Sequence, residues 1–167
     1  MFEDIELYKS NKGTATGTMN GTVETLSGDQ TYPFKATWIY RDNLNGMLRF
    51  HGTVDDLESP GRTSLIGLEL TPESTPSGTY SIGVNPESAS SDTDSIGATP
   101  VTLRLDYMTF IQDTGVTTDY DGIKGWVELI SAYPAKPISG KLWFKTIRRG
   151  GREYEVELDF NITDFKT

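Results

Sequence analysis

A chain of 167 residues with 15 basic and 24 acidic side chains carries a net charge of −9 and contains no cysteine. That length fits one domain able to bury a core without covalent staples. The missing cysteines exclude disulfides, thiolate metal sites and cysteine nucleophiles, and the negative charge disfavours generic nucleic-acid or anionic-membrane partners.

No apolar run approaches the roughly 20 residues of a membrane-spanning helix. The opening Met-Phe-Glu-Asp-Ile-Glu is acidic and lacks a basic-then-apolar leader. The expectation is a cytoplasmic protein, or an extracytoplasmic one whose leader has been removed. The 22 threonines, abundant tyrosine and absence of sustained helical periodicity predict an all-β chain with little helix.

In chain order the pattern predicts a short strand at Ile5–Lys9. A long strand at Thr14–Leu26 places Ala15, Gly17, Met19, Gly21 and Val23 on one face. After a turn at Ser27-Gly28-Asp29, a strand at Thr31–Tyr40 places Tyr32, Phe34, Ala36, Trp38 and Tyr40 on one side. Pro33 cannot donate to a ladder, which marks an edge or a bulge. Met47–Val54 turns Leu48, Phe50 and Val54 inward, and the polar loop from Asp55 to Gly61 follows. Further strands are predicted at Thr63–Thr71, Thr79–Val84, Val101–Ile111, Ile123–Ala132, Ile138–Ile147 and Glu153–Thr163, with a Ser/Asp-rich loop over Asn85–Pro100. Roughly ten strands at this spacing imply a single-domain antiparallel β-sandwich or closed barrel.

The last hairpin is the most definite signal. Tyr154, Val156, Leu158, Phe160 and Ile162 alternate with Glu153, Glu155, Glu157, Asp159 and Asn161, so one face is dry and the other wet. A three-residue loop at Arg149-Gly150-Gly151 pairs Thr146 with Tyr154, Phe144 with Val156 and Leu142 with Leu158, and sets Lys145 against Glu155 and Lys141 against Asp159. A slip by one residue would lose both the core face and the charge pairs. Trp143 falls on the charged face.

Candidate chemistry is sparse. His51, the single histidine, belongs with Met47 and Arg49 on the wetter face of its strand, and no second histidine or cysteine completes a triad or a zinc site. Asp113-Thr114-Gly115 matches the tripeptide of aspartic proteases, but a second copy is missing, and a turn explains it. Asp119 and Asp121, or Asp92 and Asp94, offer carboxylates for a loop cation site, but ordinary turn and loop roles explain them better. Arg148, Arg149 and Arg152 with Lys141 and Lys145 gather a third of the basic residues into the last hairpin, where an anionic partner or internal cross-strand pairing accounts for them. Trp38, Trp126 and Trp143 stand on strands, where aromatic side chains either fill a core or contact a ligand.

The segments Gly-Trp-Val-Glu-Leu-Ile from Gly125, Ile-Ser-Gly-Lys-Leu-Trp-Phe from Ile138 and Tyr-Glu-Val-Glu-Leu-Asp-Phe from Tyr154 resemble the all-β pattern of bacterial surface and periplasmic domains of sandwich or calycin-like type. The resemblance covers the last quarter of the chain and implies an extracytoplasmic all-β module, with no catalytic residues to transfer.

Three functions fit. The first is a non-enzymatic β-sandwich that binds a ligand or serves as a structural module of a bacterial or phage protein. The second is a small-ligand-binding calycin-like barrel, and the third is a carboxylate-based hydrolase. The first assigns no catalytic residue, metal or cofactor. It places contact with a protein partner or a glycan on Trp143, Arg148, Arg149, Trp126 and Trp38, and allows oligomers through strand edges.

Overall fold

Period-two alternation becomes ten strands in the computed structural model, which describes residues 15–82 and 100–165. They are β1 (Ala15–Thr25), β2 (Thr31–Lys35), β3 (Trp38–Asp42), β4 (Leu48–Asp55), β5 (Arg62–Thr71), β6 (Gly78–Ile82), β7 (Thr102–Ile111), β8 (Thr117–Ser131), β9 (Ile138–Thr146) and β10 (Tyr154–Phe165). A single 3₁₀ turn, Leu44–Gly46, is the one helical element among the described residues. The strand predicted at residues 5–9, the loop after residue 84 up to residue 99, and with it Asp92 and Asp94, lie outside the described residues.

All ten strands join one antiparallel sheet, ordered β2-β1-β10-β9-β8-β7-β5-β4-β3, with β6 beside β8. The sheet is strongly curled into a half-barrel. Its concave face carries the core: Met19 and Val23 from β1, Phe50 from β4, Ile66, Leu68 and Leu70 from β5, Phe144 from β9, and Tyr154, Val156, Leu158, Phe160 and Ile162 from β10 are all at most 2% exposed. Phe50 meets Phe160 with ring centroids 4.9 Å apart. Close approach explains one glycine in particular. A Cβ at Gly21 would stand 1.9 Å from the carbonyl oxygen of Glu157, so only glycine lets β1 lie against β10 there.

β2 and β3 are one strand bent at Ala36 and Thr37. The Ala36 N–H donates to Met19 O of β1 at 2.9 Å, and the next N–H, of Thr37, donates to Thr53 O of β4 at 2.8 Å. The chain thus passes from one end of the strand order to the other within two residues. Pro33, opposite Thr22 on β2, is an edge residue as its missing donor requires. The bend also overturns one expected face. Phe34 faces the core at 1% exposure, but beyond the bend Ile39 takes the core side at 5%, and Trp38 and Tyr40 turn to the convex face.

One strand boundary also differs from the sequence expectation. β8 begins at Thr117 instead of Ile123, because its first part pairs with β7 (Asp106 with Asp121, Met108 with Asp119) before an irregularity between Gly122 and Lys124. Past it the strand has β6 on one side and β9 on the other. Asp119 and Asp121 are therefore strand residues, not turn residues.

The last hairpin keeps the expected register but not the expected loop. Val156 faces Phe144, Leu158 faces Leu142 and Glu155 faces Lys145, yet the turn is the two residues Gly150-Gly151, flanked by reciprocal bonds between Arg149 and Arg152 at 2.8 and 3.0 Å. Both glycines hold positive φ, 58° and 76°, as a twist-matched two-residue turn demands. A bulge restores the ladder: Ile147 sends its N–H to Asp121 O of β8, and the Tyr154 N–H takes the Thr146 hydroxyl as its acceptor.

Candidate functional site

Trp126 and Trp143 are direct cross-strand neighbours on β8 and β9. Both are half-buried on the convex face, and Ser81, Glu157 and Thr22 extend their row across β6, β10 and β1. The row on one side reads Lys124, Lys145, Glu155, Glu24, and the row on the other Thr79, Glu128, Lys141, Asp159, Asn20. Strand neighbours lie about 4.8 Å apart, so the two indoles share a small area framed by hydroxyl, amide, carboxylate and ammonium groups. Trp143 has two polar partners on this face. Its indole N–H donates to Glu155 Oε1 at 2.6 Å, and the Lys145 ammonium stands 5.8 Å from the ring centroid, a cation–π contact of about 0.5–1 kcal/mol at an exposed site. Lys141 lies 3.9 Å from Asp159 on the same face, the charge pair that the register implied.

Trp38 stands apart. It opens β3, pairs with Thr53, and belongs to the far end of the strand order from the Trp126–Trp143 pair. The hairpin-tip arginines also separate. Arg149 belongs to the turn through its bonds with Arg152, whereas Arg148 lines a cleft of about 460 Å³.

That cleft lies where three loops meet: β1–β2 (Thr25, Ser27, Asp29, Gln30), β4–β5 (Glu58, Ser59) and the β9–β10 tip (Arg148, Gly151, Arg152, Glu153), with Tyr32 of β2 also in its wall. At its floor the Glu58 side chain is only 5% exposed. Tyr107 donates to its Oε2 at 2.7 Å and Tyr154 to its Oε1 at 2.8 Å. Ser64 Oγ sits 2.9 Å from the Tyr107 hydroxyl, and since that phenol proton is given to Glu58, the serine donates. Arg152 approaches Glu58 Oε1 at 4.0 Å. Burial first, and then the Glu58 charge, push both phenols above the ordinary tyrosine range, so they remain donors. The Tyr154 ring packs on Tyr107 at 4.6 Å and edge-on to Tyr120 at 4.9 Å.

Sequence reasoning missed this network. Glu58 sits in a loop with no spacing that marks it, and Tyr154 reads as one more core residue. The available signal was chemical: a tyrosine on a dry face needs a partner for its hydroxyl.

His51 is also misplaced by alternation alone. It is 5% exposed and stacks on Tyr40 at 5.0 Å and 21°. Burial, then the nearby Arg49 charge, lower its pKa to about 3. On the same convex surface Asp106 is 2% exposed, and burial followed by repulsion from Asp119 raises its pKa well above the carboxylate range. Asp121 pairs instead with Arg104, at 3.5 Å. Among the described residues no group of three or more His, Cys, Asp or Glu side chains has the geometry to hold a metal ion. Asp113-Thr114-Gly115 forms the expected turn, with Gly115 at φ 71° and its N–H bonded to Ile111 O at 2.7 Å.

No helix of the described residues is long and apolar enough to cross a membrane. No family model, curated protein or solved structure matches this chain.

Proposed function

We propose that this chain is a non-enzymatic binding module that holds a glycan on its convex face, across Trp126 and Trp143. The observation that carries the reading is the direct pairing of these two indoles on a face otherwise rich in hydrogen-bonding groups. The faces of an indole are electron-rich and apolar. They suit the C–H faces of sugar rings, while Glu157, Asp159, Asn20, Ser81 and Lys141 around them offer acceptors and donors to sugar hydroxyls.

The sheet is read as a barrel closed at the Ala36–Thr37 bend, where successive N–H groups reach Met19 O and Thr53 O. Its filled concave face, with Phe50, Phe144, Tyr154 and Phe160 at most 2% exposed, favours a ligand bound outside over the internal ligand of a calycin-like barrel. Placement in a bacterial surface or periplasmic setting, or in a phage assembly, belongs to the same proposal.

The test is retention on a panel of immobilised polysaccharides, neutral and acidic. Wild type is expected to be retarded by at least one, and Trp126→Ala and Trp143→Ala each to weaken that binding at least tenfold, about 1.4 kcal/mol, with thermal unfolding checked in parallel. Retention by none, or unchanged retention of both variants, would overturn the proposal.

A further inference from the structure

The cleft at the hairpin tip has a lining that carries both signs of charge. Arg148 and Arg152 share it with Asp29 and Glu153, and a third carboxylate, Glu58, accepts from the hydroxyls of Tyr107 and Tyr154 at the floor with Arg152 4.0 Å away. An anionic ligand would meet Asp29 and Glu153, and a cationic ligand would meet the two guanidinium groups; either leaves one pair of charges opposed. A neutral polyol meets neither objection, because each hydroxyl both donates and accepts. Thr25, Ser27, Ser59 and Gln30 add neutral partners, and the Tyr32 ring, its hydroxyl bonded to Gln30, adds an aromatic surface. At about 460 Å³ the cleft lies within the range of small-ligand sites.

Its walls are also fixed in place. Glu58 ties the β4–β5 loop to β7 and β10, and Arg152 stands 4.0 Å from Glu58 Oε1. A guanidinium held at its base keeps its other N–H groups available in one direction, which suits bidentate bonding to a pair of neighbouring hydroxyls.

From this we infer that the cleft is a second carbohydrate site, taking one or two uncharged sugar units, such as a chain end, by hydrogen bonds from Arg148, Arg152, Asp29 and Glu153. The inference rests on the glycan reading of the protein but uses none of the residues of the Trp126–Trp143 face.

The test is ¹H–¹⁵N NMR titration of the intact chain with glucose, galactose, mannose and N-acetylglucosamine, alongside glucosamine and galacturonate as charged controls. At least one neutral sugar is expected to cause saturable shifts in the amides of 25–30, 58–59 and 148–153. Asp29→Asn and Arg148→Gln, both on exposed loops, are each expected to weaken that binding at least tenfold while leaving the remaining spectrum in place. Shifts confined to the Trp126 and Trp143 indole signals would support the face and overturn the cleft. Absence of shifts at the cleft with every neutral sugar, tighter binding of a charged control there, or unchanged binding in both variants would also overturn it.

Discussion

Glu58 and Tyr154, 96 positions apart, are joined by a 2.8 Å hydrogen bond from the phenol to Oε1. With the 2.7 Å bond from Tyr107, it ties the loop between β4 and β5 to the core strands β7 and β10. Removing one donor leaves a carboxylate that is 5% exposed short of a partner. Tyr154→Phe is expected to cost about 1–3 kcal/mol in urea unfolding. Tyr107→Phe should cost a similar amount, and because both phenols serve one carboxylate, the double variant should depart from additivity by at least about 0.5 kcal/mol. Wild-type stability in both single variants would mean that the network holds nothing together.

Gly21 and Gly28 separate a steric requirement from a conformational one. At Gly21 an added methyl meets Glu157 O at 1.9 Å and Leu158 Cα at 2.7 Å, both backbone atoms between paired strands. At Gly28 it meets nothing within 4 Å, and only φ +79° opposes it. Gly28→Ala is expected to cost about 1–2 kcal/mol. Gly21→Ala should cost more than 3 kcal/mol or prevent folding, since β1 must part from β10. Thermal unfolding of the two variants side by side checks the order.

The turn at Gly150-Gly151 offers a change in the opposite direction. Gly150 has φ 58° with no neighbour within 4 Å of an added Cβ, a conformation that asparagine tolerates, and Asn-Gly is the favoured pair for such a turn. Gly150→Asn should raise stability by up to about 1 kcal/mol, by restricting the unfolded chain. Gly151→Val, a β-branched residue forced to φ 76°, should lower it. A Gly150→Asn variant less stable than wild type in urea would show that the tip has another backbone conformation.

Two buried ionisable groups give opposite slopes of stability against pH. Asp106 has its pKa raised well above 3.8, by burial and then by Asp119. The folded state therefore binds more protons than the unfolded one as pH rises past 3.8, and stability is lost through that window. Asp106→Asn should gain on wild type between pH 4 and pH 7. His51, lowered from 6.5 to about 3, does the reverse: below pH 6.5 the unfolded chain takes up a proton that the folded one refuses. Stability falls as pH drops toward 3, and His51→Gln should flatten that acid limb. Urea midpoints at pH 4, 5.5 and 7 read both effects, and parallel curves for variants and wild type would contradict them.

Much of the fold was legible because local chemistry and tertiary position agree. The alternation of Tyr154 to Ile162, and the charge pairs of Lys141 and Lys145, fix the β9–β10 register. They do so even though the turn holds two residues and a bulge restores the pairing. What alternation could not supply was the effect of neighbours. The bend at Ala36–Thr37 flips Trp38 and Tyr40 because the chain changes partners there. β8 extends back to Thr117 because β7 is present to pair with it, and His51 is buried on a face that its strand alone marks as wet. Of the expected contact residues, Trp126 and Trp143 come together and Arg148 faces a cleft, whereas Arg149 and Trp38 belong elsewhere. Glu58 was invisible because its role depends on two tyrosines from distant strands.

The convex face is tested most directly by tryptophan fluorescence. The chain has three tryptophans, so Trp38→Phe leaves only Trp126 and Trp143 as indole reporters. Titrating that variant with the polysaccharide that retards wild type should give a saturable change in emission, lost at least tenfold in affinity when Trp143 is also changed to Ala. Emission that stays constant while binding persists would place the ligand away from the Trp126–Trp143 pair and contradict the assignment of this face.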